Sequence, residues 1–438
     1  MYYIDSHSLS GQFVCPLQQF VAWLEWTLRF AIPRGKSGNA VFLCIFLIAT
    51  SCVRPKHQKT VDTATDTIIF QHEAAKNDSI IYYSIKGNKI TADLNNPQRT
   101  SVFDYFSHIE LIPLETNDDV LIGYLSRVLY YQNCFYTVDE QQSIVQVFDE
   151  KGKFISKIKK HGQGPGEYYC LTDMVINPHN GNFDLICVMS SLYSYDSSWN
   201  HIRTTWVFNS DTIRNIYSVA PLTENVYVFF TNYSEQMITY YDMNEKKILH
   251  RDYEEDIDIA YFFASFFVFY EYNGEWFYYR PYDNDTYLVG STSLIKSYTW
   301  DFGKLNYDVK KSPIPEKDSN MDMNQLRDIG NSFPYRFSLQ GQNNRYVMAQ
   351  IRLKNDVYAN LIYDKSTDEC KFINPFFELV DFRPIIVTNE FVLSYCTHGE
   401  IEKYVNEEIL DETNQKIFRN LLNTREEMNP IIIKYHFK

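Results

Sequence analysis

The chain is short of positive charge: 41 Lys and Arg stand against 55 Asp and Glu, a formal net charge of −14. Nucleic-acid affinity rests mainly on basic side chains displacing counterions, so no nucleic-acid partner is expected. Long apolar runs are also missing. The one strongly apolar stretch, Val41 to Ala49, has nine residues, too few to cross a hydrocarbon core of roughly 30 Å. Of eight cysteines, only Cys134, Cys170, Cys187, Cys370 and Cys396 follow Cys52, an odd number with no CxxC spacing. That pattern supports neither a zinc site nor a dense disulfide framework, and buried free thiols in strands are expected. The nine histidines after residue 52 are scattered, with no HExxH or HxH pair. No metal, cofactor or catalytic residue is therefore assigned.

What is present starts with a leader. Arg34 and Lys36 precede the apolar run, and Ala49-Thr50-Ser51-Cys52 follows it. Basic, apolar and small-residue segments in this order read as a signal region. The four residues resemble the lipobox of bacterial lipoproteins, although Leu is commoner than Ala three places before the cysteine. The resemblance implies lipid attachment at Cys52, a cell-envelope address and membrane association through that anchor only. A plain secretory signal with an incidental cysteine is the competing reading. Residues 1–33 do not fit a leader and are set aside within the 1–51 signal region; a misassigned start codon would explain them. From Val53 to about Thr67 the chain is polar, which suits a tether, so residues 52–100 are read as tether and lead-in.

Beyond residue 100 the chain is rich in aromatics, which make up 16% of the whole, with 35 Tyr and 31 Phe. Tyr and Phe favour pleated, half-buried surfaces. Apolar strands ending in an aromatic residue and Asp recur: Phe148-Asp149, Tyr195-Asp196, Tyr241-Asp242 and Tyr363-Asp364. Each is followed by a polar turn and another strand, and the Asp side chain suits the turn because it accepts from backbone N–H groups just ahead. The first three Asp lie 46–47 residues apart, the repeat length of a four-stranded β-propeller blade. The expected fold is all-β: a six-bladed propeller over residues 101–438. Its blades start near Leu125, Leu171, Ile216, Tyr261, Tyr335 and Asp381. A short helix at Met321–Ile329 is expected before blade five, within Lys304–Ser332, and another at Glu408–Asn423 in the last blade. The strand His108–Leu114 has no blade of its own. It is expected to close the ring beside the C-terminal strand, as the outer strand of blade six.

Four motifs carry a resemblance: Ile112-Pro-Leu-Glu-Thr116, His161-Gly-Gln-Gly-Pro-Gly-Glu-Tyr168, Asn284-Asp-Thr-Tyr287 with Trp300-Asp-Phe-Gly303, and Asn429-Pro-Ile-Ile-Ile433. In this order they resemble the six-bladed β-propeller lipoproteins of Bacteroides and its relatives, over roughly residues 80–438. The resemblance implies fold and address but supplies no site residues, because the function of that group is largely unestablished. Surface-exported lipoproteins of that group tend to carry acidic residues after the lipid cysteine. Val53-Arg54-Pro55-Lys56 instead implies an outer-membrane anchor facing the periplasm.

Several stretches invite a chemical reading. Gly162–Glu167 has the glycines of an anion cradle but no Lys-Ser/Thr at phosphate-loop spacing, so an inter-blade turn is favoured. Asp301-Phe302-Gly303 matches the kinase tripeptide in letters alone and reads as a turn. The acidic run Glu254–Asp258 lacks the spacing of a calcium loop. The aromatic stretches Tyr261–Tyr270 and Trp276–Tyr279 read as packing between blades ahead of a stacking platform. The leading expectation is therefore a binding or scaffold protein taking an unknown protein, peptide or glycan ligand. The alternative is a metal-dependent hydrolase or lyase, with ligands from at least three blades converging on the channel. A third reading makes Lys304–Ser332 the docking element for an envelope transporter or sensor.

Overall fold

Successive side chains of a strand point to opposite faces of its sheet, and in this chain both faces are apolar. In the β-strand Tyr358–Asp364, Leu361 and Tyr363 belong to one buried cluster and Ile362 to another. A sheet buried on both faces must stand between two others, which is the situation of a propeller blade. The computed structural model describes residues 82–187, 191–207, 216–231, 236–254, 267–308, 332–354, 357–424 and 427–438. The expected helix at Met321–Ile329, Cys52 and the tether lie outside these residues.

The lead-in carries β1 (Lys89–Thr91), β2 (Arg99–Thr100) and β3 (Phe106–Pro113). Blade one is β4 (Arg127–Tyr131), β5 (Cys134–Asp139), β6 (Ile144–Asp149) and β7 (Phe154–Ile158). Blade two is β8 (Asp173–Ile176), β9 (Phe183–Cys187), β10 (Ser191–Tyr195) and β11 (His201–Trp206). Blade three is β12 (Ile216–Pro221), β13 (Val226–Thr231), β14 (Gln236–Asp242) and β15 (Lys247–Glu254). Blade four is β16 (Phe269–Tyr272), β17 (Glu275–Tyr279), β18 (Asp285–Val289) and β19 (Leu294–Asp301). Blade five is β20 (Tyr335–Gln342), β21 (Tyr346–Leu353), β22 (Tyr358–Asp364) and β23 (Glu369–Ile373). Blade six is β24 (Ile386–Val387), β25 (Phe391–Cys396) and β26 (Ile431–Phe437), completed by β3.

The fold is thus a six-bladed β-propeller, and β3 pairs antiparallel with β26 as the outermost strand of blade six. The first strands of neighbouring blades touch, as β8 with β12, β12 with β16, β16 with β20 and β20 with β24. They line the axis and all run the same way. One end of the wheel, the mouth, holds the starts of these strands. The other end holds the first-to-second and third-to-fourth strand hairpins. At that hairpin end Gln132-Asn133 and Asn273-Gly274 make two-residue turns with φ of 49°, 59°, 58° and 78°, the positive values that a tight hairpin requires.

The structure departs from the sequence reading in two places, the lead-in and the start of the last helix. The lead-in does more than enter the ring: β1 pairs parallel with β19 and β2 with β23, adding a fifth strand to blades four and five. In blade four the described first strand is Phe269–Tyr272, and the expected start near Tyr261 lies outside the described residues. The last helix runs Glu412–Asn423 because Asp411 caps it, accepting from the Asn414 N–H at 2.8 Å, with a 3-10 turn at Glu407–Ile409 before it. The five described cysteines are free, and four of them are buried.

The aromatic-Asp repeats do what the residue types suggest. Asp149 accepts from the N–H groups of Lys151 and Lys153, at 2.9 and 2.8 Å. Asp196 accepts from Ser198 and Asn200, Asp242 from Asn244 and Glu245, and Asp364 from Ser366. Each carboxylate organises the third-to-fourth hairpin of its blade.

Candidate binding site at the mouth of the central channel

Arg127 is the first residue of β4 and Asp173 the first of β8, so two adjacent blades deliver opposite charges to the mouth. Nη1 of Arg127 donates to both carboxylate oxygens of Asp173. Asp173 is buried and also accepts from the Met174 N–H at 2.7 Å. Burial pushes its carboxyl upward, opposed by the charge and hydrogen bonds of Arg127. The guanidinium carbon of Arg127 lies 4.5 Å from the ring centroid of Phe267. Phe267 precedes β16 in blade four, opposite blade one on the wheel. Arg127 therefore reaches across the axis, and its flat face rests on an aromatic ring, a favourable cation–π arrangement.

The surroundings of this pair are acidic and aromatic. Asp139, at the end of β5, accepts from the N–H groups of Gly123, Tyr124 and Gln142 at 2.8, 3.0 and 2.9 Å. Next to it, the Glu140 carboxyl is pushed up by burial first, then by the charges of Asp139 and Asp173. Tyr124 is exposed, and Tyr395 of blade six donates to the Leu125 carbonyl at 3.5 Å. Beside the mouth, between β23 and β24, Phe377 and Leu379 are 59% and 77% exposed. This end presents charge, aromatic faces and apolar surface together, the ingredients of recognition. Among the described residues, no group of three or more His, Cys, Asp or Glu is placed to hold a metal ion.

Away from the mouth, a cleft of about 200 Å³ opens on the rim, where the lead-in residues Thr100, Asp104 and Tyr105 face Arg345, Asp364 and Lys371. Its charges are already matched. Arg345 makes a forked pair with Asp364, Nε and Nη2 donating to Oδ2 at 3.1 and 2.8 Å. Asp104 accepts from the Thr100 hydroxyl and the Ser101 N–H.

The motifs read from sequence fall as follows. In Gly162–Glu167 the Glu167 carboxylate accepts from the Gly164 N–H at 2.8 Å, and a Cβ on Gly162 would collide with it. The glycine loop is filled by its own carboxylate. Asp301 accepts from Gly303 N–H at 2.9 Å, Asn306 Nδ2 at 2.6 Å and Lys89 Nζ at 2.7 Å, so it clamps the lead-in to blade four. Those bonds hold its carboxyl near 2. In the described part of the aromatic stretches, Phe269 packs on Tyr278 and Tyr270 stacks on Phe277 within the blade. Cys52, Glu255–Asp258 and most of Lys304–Ser332 lie outside the described residues. Arg127 and Asp173 carried no sequence signal, because nothing in a strand marks which residue starts at the axis.

Comparison with known proteins bears on the fold. No curated protein matches the chain. A Bacteroides fragilis protein described as exported has a crystal structure similar to this one at a TM-score of 0.62 and 16% identity. The match covers 80% of this chain and 99% of that one. A Bacteroides vulgatus member of the DUF4221 family is 13% identical, with a TM-score of 0.44, over 76% of this chain and 97% of that one. Residues 85–436 match the family described as a domain of unknown function, DUF4934, and the chain belongs to that family.

Proposed function

We propose that this protein is a cell-envelope lipoprotein, held by a lipid on Cys52 in the outer membrane facing the periplasm. Its propeller binds a protein, peptide or glycan ligand at the mouth. The observation that carries the reading is the meeting of Arg127, Asp173 and Phe267 across the axis. An ion pair laid on a ring offers a polar and a stacking contact at one point, but no nucleophile with its base. The leader before Cys52 supports export, as does the description of the similar Bacteroides fragilis protein as exported.

Peptide and glycan arrays probed with the full-length protein test the binding half. Binding that is abolished by Phe267→Ala and weakened by Tyr124→Ala, with thermal melting retained, is the expected outcome. Turnover of a lactone, glycoside or peptide by the purified protein would overturn it. For the anchor, Cys52→Ala is expected to move the protein from the membrane fraction to the soluble one.

A further inference from the structure

The outer strands of blades one to four share an irregularity. Against its inner neighbour each has one extra residue: Ile155 in β7, Ile202 in β11, Leu249 in β15 and Ser297 in β19. Such a bulge bends the strand and puts the four rims in register with one another. In β19 the second to fourth residues after the bulge, Thr299–Asp301, are the ones that β1 pairs with. There the Asp301 carbonyl faces outward and accepts from the Ala92 N–H at 3.0 Å, while the Trp300 N–H turns inward to the Asn284 carbonyl at 2.9 Å. The counterpart stretches are Lys157–Lys159 on blade one, Thr204–Trp206 on blade two and Arg251–Tyr253 on blade three. The middle residues Ile158, Thr205 and Trp300 are all buried, as the correspondence requires.

A sheet edge is kept from pairing with other chains by a covering strand or by charge, above all by lysine. β1 and β2 cover blades four and five. Lys157 and Lys159 guard blade one, Arg251 and Asp252 blade three, and the outer strand of blade six, β3, carries His108 and Glu110. Thr204–Trp206 has neither protection. It is uncharged, and Trp206 is 62% exposed, the most exposed aromatic side chain among the described residues. Among those residues β11 pairs with β10 alone. We infer that β11 pairs edge to edge with β11 of a second copy of this chain, antiparallel about a two-fold axis at Thr205. The strand is complementary to itself in that register. Thr204 and Trp206, whose backbone groups face outward by their correspondence to Thr299 and Asp301, then stand opposite one another twice. The one charged residue, Arg203, meets Val207 of the other copy, and its guanidinium is turned to its own chain, donating to Asn225 and Asn244 at 3.3 and 3.2 Å. The same pairing of β7 about Ile158 would set Lys157 against Lys159, like charges directly opposed, which is unfavourable. A second copy also brings a strand already formed, so the pairing orders no free chain, and a self-complementary patch closes as a two-fold dimer.

Sedimentation equilibrium of the full-length protein in density-matched detergent, over a concentration series, reads the association. A monomer–dimer equilibrium is expected. Trp206→Lys removes the ring and puts a cation on the rim, and should weaken the dimer at least about tenfold, with thermal melting retained because the side chain is exposed. Leu249→Lys, at a 45% exposed position on the rim of blade three, should leave the dimer unchanged. In the wild type, hydrogen exchange at the Thr204 and Trp206 amides should slow as concentration rises, while exchange in β7 stays constant. A monomer at every concentration overturns the inference and leaves the rim to a strand of another protein. A dimer that survives Trp206→Lys, or that Leu249→Lys weakens equally, lies on another surface and overturns it too.

Discussion

Asn429 and Glu115 join the two ends of the propeller: the Asn429 side-chain amide donates to the Glu115 carbonyl at 2.7 Å. The same side chain donates to the Val120 carbonyl and accepts from the Ile122 N–H at 2.8 Å, while its backbone N–H donates to the Thr116 hydroxyl at 2.9 Å. Two motifs that stand 313 positions apart, at Thr116 and Asn429, are thus one joint. Asn429 is 1% exposed and its bond to the buried Val120 carbonyl is closed to water. Asn429→Ala is expected to destabilise the fold by about 2–4 kcal/mol, from three side-chain hydrogen bonds and the groups left unpaired. Urea unfolding measures this, and a loss below about 0.5 kcal/mol, within the range of ordinary surface substitutions, would mean the joint is incidental.

The Arg127–Asp173 pair has a distinctive mutational signature. Arg127→Met strands a buried carboxylate and is expected to cost about 3–5 kcal/mol, whereas Arg127→Met with Asp173→Leu costs much less. A double-mutant cycle reads the coupling. Additive losses would show that the two side chains act independently.

Lys365 is 7% exposed and donates to Gln342 Oε1 at 3.0 Å and the Asn343 carbonyl at 2.7 Å, above the Tyr272 ring. Burial brings its ammonium down to about 8. The folded state then holds fewer protons than the unfolded state between pH 8 and the ordinary lysine range near 10.5. Stability carried by this group therefore rises with pH across that window. Relative to Lys365→Met, the wild type should gain stability from pH 8 to pH 10 in denaturant titrations. Parallel profiles for the two proteins would remove the assignment.

Asp301 works in the opposite sense. Its carboxyl is lowered from 3.8 to about 2 by Lys89, the Gly303 N–H and Asn306. Its contribution is present above about pH 4 and is lost as pH falls towards 2. Solvent screening keeps that contribution below about 1 kcal/mol, so a local reading is more informative than a melting curve. Asp301→Asn should speed hydrogen exchange at the β1 amides Ile90 and Thr91 while leaving β17 unchanged. Unaltered exchange in β1 would show that its backbone pairing with β19 holds the lead-in without the Asp301 clamp.

Much of the wheel was legible because its signals are local. An aromatic-Asp pair fixes a hairpin by hydrogen bonds within four residues, as Asp149 does with Lys153, and the repeat length then counts blades. The closing strand was legible because Ile109, Leu111 and Ile112 are apolar with no neighbouring hairpin to pair with. The mouth was not. Arg127 sits in a strand whose sequence, Arg-Val-Leu-Tyr-Tyr, would serve equally well at the rim. Only the ring geometry brings Phe267 under its guanidinium. The strands β1 and β2 escaped because three residues and two carry no periodicity. The filling of the glycine loop by Glu167 is a side-chain conformation, not a spacing.

Ring closure by β3 and β26 also governs when this protein can become itself. Phe135 and Phe148 of blade one share their buried cluster with Leu393 and Ile432 of blade six. Until Ile431–Phe437 is made, that flank of blade one stays wet and β3 has nowhere to dock. The strand Ile431–Phe437 thus acts as the latch of the ring. A chain that lacks this strand is left as an open fan of blades.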